Sequence, residues 1–195
     1  ILDAAECPPT YGVSRELVQG IIAGGNDAVF ASAENAEDDG AASVKMMKER
    51  GFCEKDVCFG ISASGSAQFV NSALEYARSI GALDILLCCN PQAPERCRVT
   101  AAITPEVGAE VICGSTRMKA ATAQKMVLTS ISTGVMIKLG RVSGNRMIYL
   151  KPCNRKLIAR SVRMICEMTG IDESTAERIL REENFSVDKS VSKIK

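Results

Sequence analysis

Four short, mostly apolar runs limit what this chain can fold into: residues 17–23, 56–61, 84–89 and 99–103. Each is shorter than an ordinary helix, and turn-forming residues follow the first three: Gly24-Gly25, a Ser/Gly-rich loop after Ile61, and Asn90-Pro91. Helical spacing fills the gaps between them. Asn26 or Asp27 is placed to cap a long helix running towards Arg50, with Gly40 as a weak point inside it. Residues 67–80 put Phe69, Val70, Ala73, Leu74 and Ala77 on one side, and residues 115–139 direct Met118, Ala121, Val127, Ile131 and Val135 mostly inward. Apolar strands alternating with helices build a parallel sheet, because every crossover lays a helix across a sheet face. Residues 17–23 read as a buried strand, although a helix has the same pattern at that length. The expected fold is therefore α/β, a parallel sheet flanked by helices over residues 1–150. A small helical C-terminal region follows at 151–195, entered at Pro152 and broken at Thr169-Gly170.

Composition removes whole classes of chemistry. The 195 residues are 46% hydrophobic and 24% charged, with net charge +1, no Trp and 4% aromatics, so the core must be aliphatic and Met-rich. No run approaches the ~18 apolar residues that span a bilayer, and no signal-peptide pattern opens the chain. The chain begins at Ile1, as a processed product or a fragment would. There is no His, which excludes Ser-His-Asp and Cys-His catalysis and the HExxH zinc enzymes. Nine Cys, an odd number without a CxxC pair, read as free thiols in a reducing cytoplasm and not as a zinc site. Residues 1–137 carry net charge −5 and residues 138–195 carry +6; residues 138–163 hold eight basic side chains and no acid. Only Tyr149 interleaves them, so nucleic acid is not the expected partner; a solvated face, or positive potential near an anionic substrate, is.

Any catalysis must then rest on carboxylates, Lys, Tyr, Cys or backbone dipoles. Gly60-Ile61-Ser62-Ala63-Ser64-Gly65-Ser66 leaves a strand and opens a helix, where hydroxyls and orphan N–H groups make a phosphate cradle. The same residues also suit a tight turn with a serine cap. A second candidate cradle runs from Gly108 through Glu110 to Ser115, Thr116, Arg117 and Lys119, where cations stand against the dipole at a helix start. Two carboxylates complete the set. Glu6 sits where Pro8-Pro9 are expected to end a helix, and the negative potential there favours the protonated acid. Glu37 lies in the acidic segment Glu34-Asn35-Ala36-Glu37-Asp38-Asp39, which also reads as a solvated helix face. Carboxylates in unlike surroundings suit an acid and a base, though spacing alone does not bring these two together.

Asp3-Ala4-Ala5-Glu6-Cys7-Pro8-Pro9-Thr10-Tyr11-Gly12 resembles the signature of N-acetylmuramic acid 6-phosphate etherases, members of the SIS (sugar isomerase) superfamily. Further matches follow in order: Ile21-Ile22-Ala23-Gly24-Gly25, Ala36-Glu37-Asp38-Asp39, the loop through Gly65, Cys89-Asn90-Pro91, and Gly114-Ser115-Thr116-Arg117-Met118-Lys119. The resemblance implies a doubly wound SIS-type sheet, a homodimer in the cytoplasm, a sugar-phosphate substrate, and neither metal nor cofactor. It implies cleavage of the D-lactyl ether of N-acetylmuramic acid 6-phosphate by elimination and then hydration, with Glu6 as proton donor and Glu37 as base. The substrate-binding residues it implies, with the two cradles, are Ser62, Ser64, Gly65, Ser66, Glu110, Ser115, Thr116 and Lys119. Ser66 stands where the family usually has Arg, and the chain opens downstream of the family's first strand and its Gly-rich loop. A non-catalytic sugar-phosphate sensor, as in the related glucokinase regulatory protein, and an inactive remnant are the alternatives.

Overall fold

Three of the four apolar runs pair into one parallel sheet in the computed structural model, which describes residues 1–195. The strands are β1 (Val57–Ile61), β2 (Leu83–Leu87) and β3 (Ala101–Ile103), in the order β1-β2-β3. Val57 pairs with Leu83 and Ile61 with Leu87 across the first ladder, and Ile85 with Ala101 across the second. The helices are α1 (Leu2–Tyr11), α2 (Gly40–Glu49), α3 (Gln68–Ser79), α4 (Ala93–Cys97), α5 (Lys119–Lys138), α6 (Arg155–Thr169), α7 (Glu173–Glu182) and α8 (Val187–Ile194). The α/β class with a helical C-terminal region is thus as expected. The chain divides into two compact units, Gly20–Leu128 and the pair of segments Ile1–Gln19 and Thr129–Lys195.

In the sheet unit, α3 packs on β1 and β2, and α2 packs on α3. One cluster buries Leu74, Leu86, Cys88 and Ala93; a second buries Met47, Ala77 and Ala82 with Phe52 and Tyr76 around them. Leu74 and Leu86 are almost wholly buried, and each such side chain stabilises the fold by about 1.5–3 kcal/mol. The close approach of α2 to α3 requires Gly40, because a Cβ there would lie 2.1 Å from Ser72 Oγ. In the other unit, α6, α7 and α8 enclose Ile148, Leu150, Ile165, Leu180 and Val187. Side-chain oxygens start all three: Asn154 accepts from Leu157 N, Asp172 from Thr175 N and Ser186 from Lys189 N. No helix is long and apolar enough to cross a membrane.

Four local expectations fail, each for a physical reason. Residues 17–23 form no strand: Ile21 does bury its side chain against the Met47 cluster, but the Arg50 guanidinium, not a neighbouring strand, donates to Gly20 O at 2.7 Å. The long helix from Asn26 is absent. Two 3₁₀ turns, Asn26–Val29 and Ala36–Asp38, are separated by a left-handed Asn35, and α2 starts only where Asp39 accepts from Ala42 N at 2.9 Å. Pro8-Pro9 do not end α1, which runs on to Tyr11 and is capped at Gly12. Over residues 115–139 the buried positions are Ala120 and Met136, whereas Ile131 and Val135 of α5, and Met118 just before it, are exposed.

Candidate active site

All three strands run the same way, so the loops leaving their carboxyl ends gather at one edge of the sheet, where open α/β sheets bind ligands. Ser62 follows β1, Asn90 follows β2 and Glu110 follows β3.

The first loop is held from inside and from below. Ser62 N donates to Leu87 O at 3.1 Å, extending the ladder by one bond, and Cys89 N donates to Ala63 O at 2.9 Å. Gly65 N donates to Ser62 Oγ at 3.1 Å, Ser66 N to Ser64 Oγ at 3.2 Å, and the Ser64 and Ser66 hydroxyls share a hydrogen bond of 2.7 Å. Gly65 is left-handed (φ +70°), and a Cβ on it would lie 2.3 Å from Ala93 Cβ, so the loop turns directly against α4. Asn90 Nδ2 donates to Ser64 O at 3.2 Å. Ser64 and Ser66 are exposed, and α3 begins at Ala67 with no side-chain cap. The loop therefore presents two hydroxyls in front of an uncapped helix N-terminus, which suits an anion.

A cleft of about 260 Å³ lies beside it, lined by Gly65, Ser66, Gln68, Asn71 and Glu75 together with Arg96 and Cys97 of α4. A buried charge fixes α4 there. Asp84, fully buried in β2, accepts from Thr100 N at 3.3 Å and Thr100 Oγ1 at 2.5 Å, and lies 4.0 Å from the Arg78 guanidinium. Arg78 in turn donates to the carbonyls of Cys97 and Arg98. Sequence reasoning passed over Asn71, Asn90 and Arg96. Only Asn90 carried a signal, as part of Cys89-Asn90-Pro91.

The second loop is organised by Glu110. Its carboxylate accepts from Lys119 N at 3.1 Å and Ala120 N at 2.9 Å, closing the first turn of α5 from nine and ten residues upstream. Those backbone bonds, Ala120 first and Lys119 second, hold the Glu110 carboxyl below the usual carboxylate range. Lys119 Nζ donates to Ala109 O at 2.6 Å. Ser115 and Thr116 lie in the same turn, Ser115 N donating to Ile112 O and Thr116 O accepting from Ala121 N. Cys89 borders both loops: burial and then the Glu110 charge push its thiol up. Thus Ser62, Ser64, Gly65 and Ser66 form one loop, and Glu110, Ser115, Thr116 and Lys119 form another at the same sheet edge.

Glu37 is exposed on the 3₁₀ turn Ala36–Asp38, which packs on α3 within the sheet unit. Glu6 is exposed on α1 in the other unit, in mid-helix and not at the helix end expected of it. No three His, Cys, Asp or Glu side chains converge as metal ligands.

Residues 5–78 match the glucokinase regulatory protein N-terminal SIS domain. Over 191 residues, 98% of the chain, the sequence is 50% identical to an N-acetylmuramic acid 6-phosphate etherase of Clostridium botulinum (strain Okra / Type B1). Over nearly its whole length the chain is similar to the N-acetylmuramic acid 6-phosphate etherases. The enzyme of that name from Clostridium beijerinckii is 48% identical over 96% of the chain, and N-acetylmuramic acid 6-phosphate etherase 1 of Vibrio cholerae is 49% identical over 92%. The chain spans 60–63% of the length of these three etherases. The SIS match covers the etherase segments around Glu6 and Glu37 and the serine loop.

Proposed function

We propose that this chain carries the catalytic carboxylates and part of the sugar-phosphate site of an N-acetylmuramic acid 6-phosphate etherase, a carbon–oxygen lyase. The supporting observation is the 50% identity to a curated etherase over 98% of the chain, a span that includes Glu6, Glu37 and both loops. The SIS likeness to a regulatory protein reaches only residues 5–78, so the catalytic reading leads. A homodimer in the cytoplasm fits the family and the nine free thiols.

The chemistry follows from what carboxylates do. In the open-chain sugar the C2 proton is α to the aldehyde, and Glu37 takes it. The electron pair moves into the C2–C3 bond as the C3–O bond breaks, and Glu6 gives a proton to the departing lactyl oxygen. Water then adds at C3 of the unsaturated aldehyde and a proton returns to C2, giving N-acetylglucosamine 6-phosphate and D-lactate. Phosphate held at Ser64 and Ser66 places the reacting carbon, with Ser62 and Gly65 shaping that loop. Glu110, Ser115, Thr116 and Lys119 face the rest of the sugar.

Substitution separates the two glutamates. In protein that releases D-lactate from this substrate, Glu37→Gln abolishes exchange of the C2 proton, whereas Glu6→Gln slows lactate release more than exchange. Each loss is about 10²–10⁴ in rate, the usual worth of one positioned acid or base. Wild-type turnover in both variants would refute the assignment.

A further inference from the structure

The two long helices that start at the ligand edge of the sheet, α3 and α5, have N-termini that differ. No side chain caps α3, a helix of 12 residues, behind the exposed hydroxyls of Ser64 and Ser66. The N-terminus of α5, a helix of 20 residues, already holds a carboxylate, with one Glu110 oxygen on Lys119 N and the other on Ala120 N. Each helix N-terminus attracts anions through its dipole and its orphan N–H groups. The N-acetylmuramic acid 6-phosphate of the reading above carries two anions, a phosphate at one end and the lactyl carboxylate at C3. Two open cradles at one edge would let such a molecule bind in either direction.

We propose that Glu110 is a specificity-determining residue: its carboxylate fills the N-terminus of α5, keeps phosphate out of it, and leaves the serine loop before α3 as the place where phosphate binds. Bound as a second acceptor for the same two amides, an incoming phosphate would have to displace two charge-assisted hydrogen bonds and approach a fixed negative charge. The Lys119 ammonium offsets that charge less than the two backbone bonds do, and it is itself held by Ala109 O at 2.6 Å. The substrate's phosphate is thereby assigned to Ser64 and Ser66, and its uncharged hydroxyls to the Glu110 side. This rests on the sugar-phosphate reading for its consequence, while the anion exclusion itself is a property of the chain alone.

The test uses the full 195-residue chain, inorganic phosphate as the probe, and backbone amide resonances as the readout. In the wild type, phosphate should shift the amides of residues 64–68 and leave those of Lys119 and Ala120 in place. In Glu110→Ala it should shift Lys119 and Ala120 as well, with affinity at that helix roughly tenfold or more above wild type. Glu110→Gln keeps an acceptor oxygen without the charge, and it gives the same gain in weaker form if the alanine variant does not fold. Phosphate that shifts Lys119 and Ala120 equally in all three proteins, or in none of them, overturns the proposal. A wild type whose 64–68 amides ignore phosphate counts against the serine loop as phosphate site, and leaves the Glu110 result to be read at Lys119 and Ala120 independently.

Discussion

Gly65→Ala tests the serine loop more sharply than removing a hydroxyl would. An alanine at φ +70° costs about 1–2 kcal/mol, since an L-residue there crowds its own carbonyl. Its Cβ would also lie 2.3 Å from Ala93 Cβ, and overpacking of that kind costs about 1–3 kcal/mol more. The sum, about 2–5 kcal/mol, is a large part of the 5–15 kcal/mol that holds a typical domain together. The two contributions separate in a double-mutant cycle. Ala93→Gly removes the opposing methyl at a cost of about 1 kcal/mol in helix propensity, and in that background Gly65→Ala should lose only the backbone part. A favourable coupling of about 1–3 kcal/mol is therefore expected from urea unfolding of the four proteins at constant m-value. Additivity within about 0.5 kcal/mol, or a Gly65→Ala protein as stable as its parent, would refute the view that this loop is seated directly on α4.

Asp84→Ala removes the acceptor shared by Thr100 and Arg78 inside the fold, and should lower unfolding stability by about 3–5 kcal/mol, as loss of one partner in a buried charged pair does; a change under about 0.5 kcal/mol would mean that water replaces it. Cys58 has its thiol pushed up to about 11, by burial first and by the Asp84 charge second. Because the folded value lies above the unfolded one, near 8.5, the contribution of the neutral thiol is complete below about pH 8.5 and lost as pH rises through about 11. Alkylation of the native chain at about pH 8, mapped by mass spectrometry, should mark the exposed Cys113 and Cys153 and spare Cys58, and Cys58→Ala should flatten the fall in stability at alkaline pH.

Where one segment supplied both its side-chain burial and its backbone partners, the sequence was legible. Residues 56–61 and 84–89 became β1 and β2, and the periodic stretch at 67–80 became α3, each shifted by only a residue or two at its ends. The turn inside the Ser62–Ser66 loop was legible because its serine bonds close within a few residues, whereas its bonds to Leu87, Cys89 and Asn90 left no local signal. Residues 17–23 had the apolar pattern of a strand, but the backbone answers to Arg50, 30 residues away, and pattern does not report such a partner. Glu110 was legible as a polar residue near a helix start and not as its cap, because capping signals are read over three residues and this one acts over nine and ten. Apolar spacing on α5 likewise failed to tell which face is covered.

The course of α1 through Pro8-Pro9 bears on when Glu6 acquires its setting. Neither proline has an N–H to give, so the carbonyls of Ala4 and Ala5 lose their helical donors, and ten residues with that defect do not hold a helix in water unaided. What holds it comes from much later in the chain: Tyr11 OH donates to Thr133 Oγ1 across 122 residues, Lys151 N donates to Pro9 O, and Cys7 packs on Met136. Glu6 therefore precedes its own scaffold in the chain, and its helix persists only once Thr133, Met136 and Lys151 have been made. A chain cut before Thr133 contains the glutamate without that scaffold, and α1 should be lost from it.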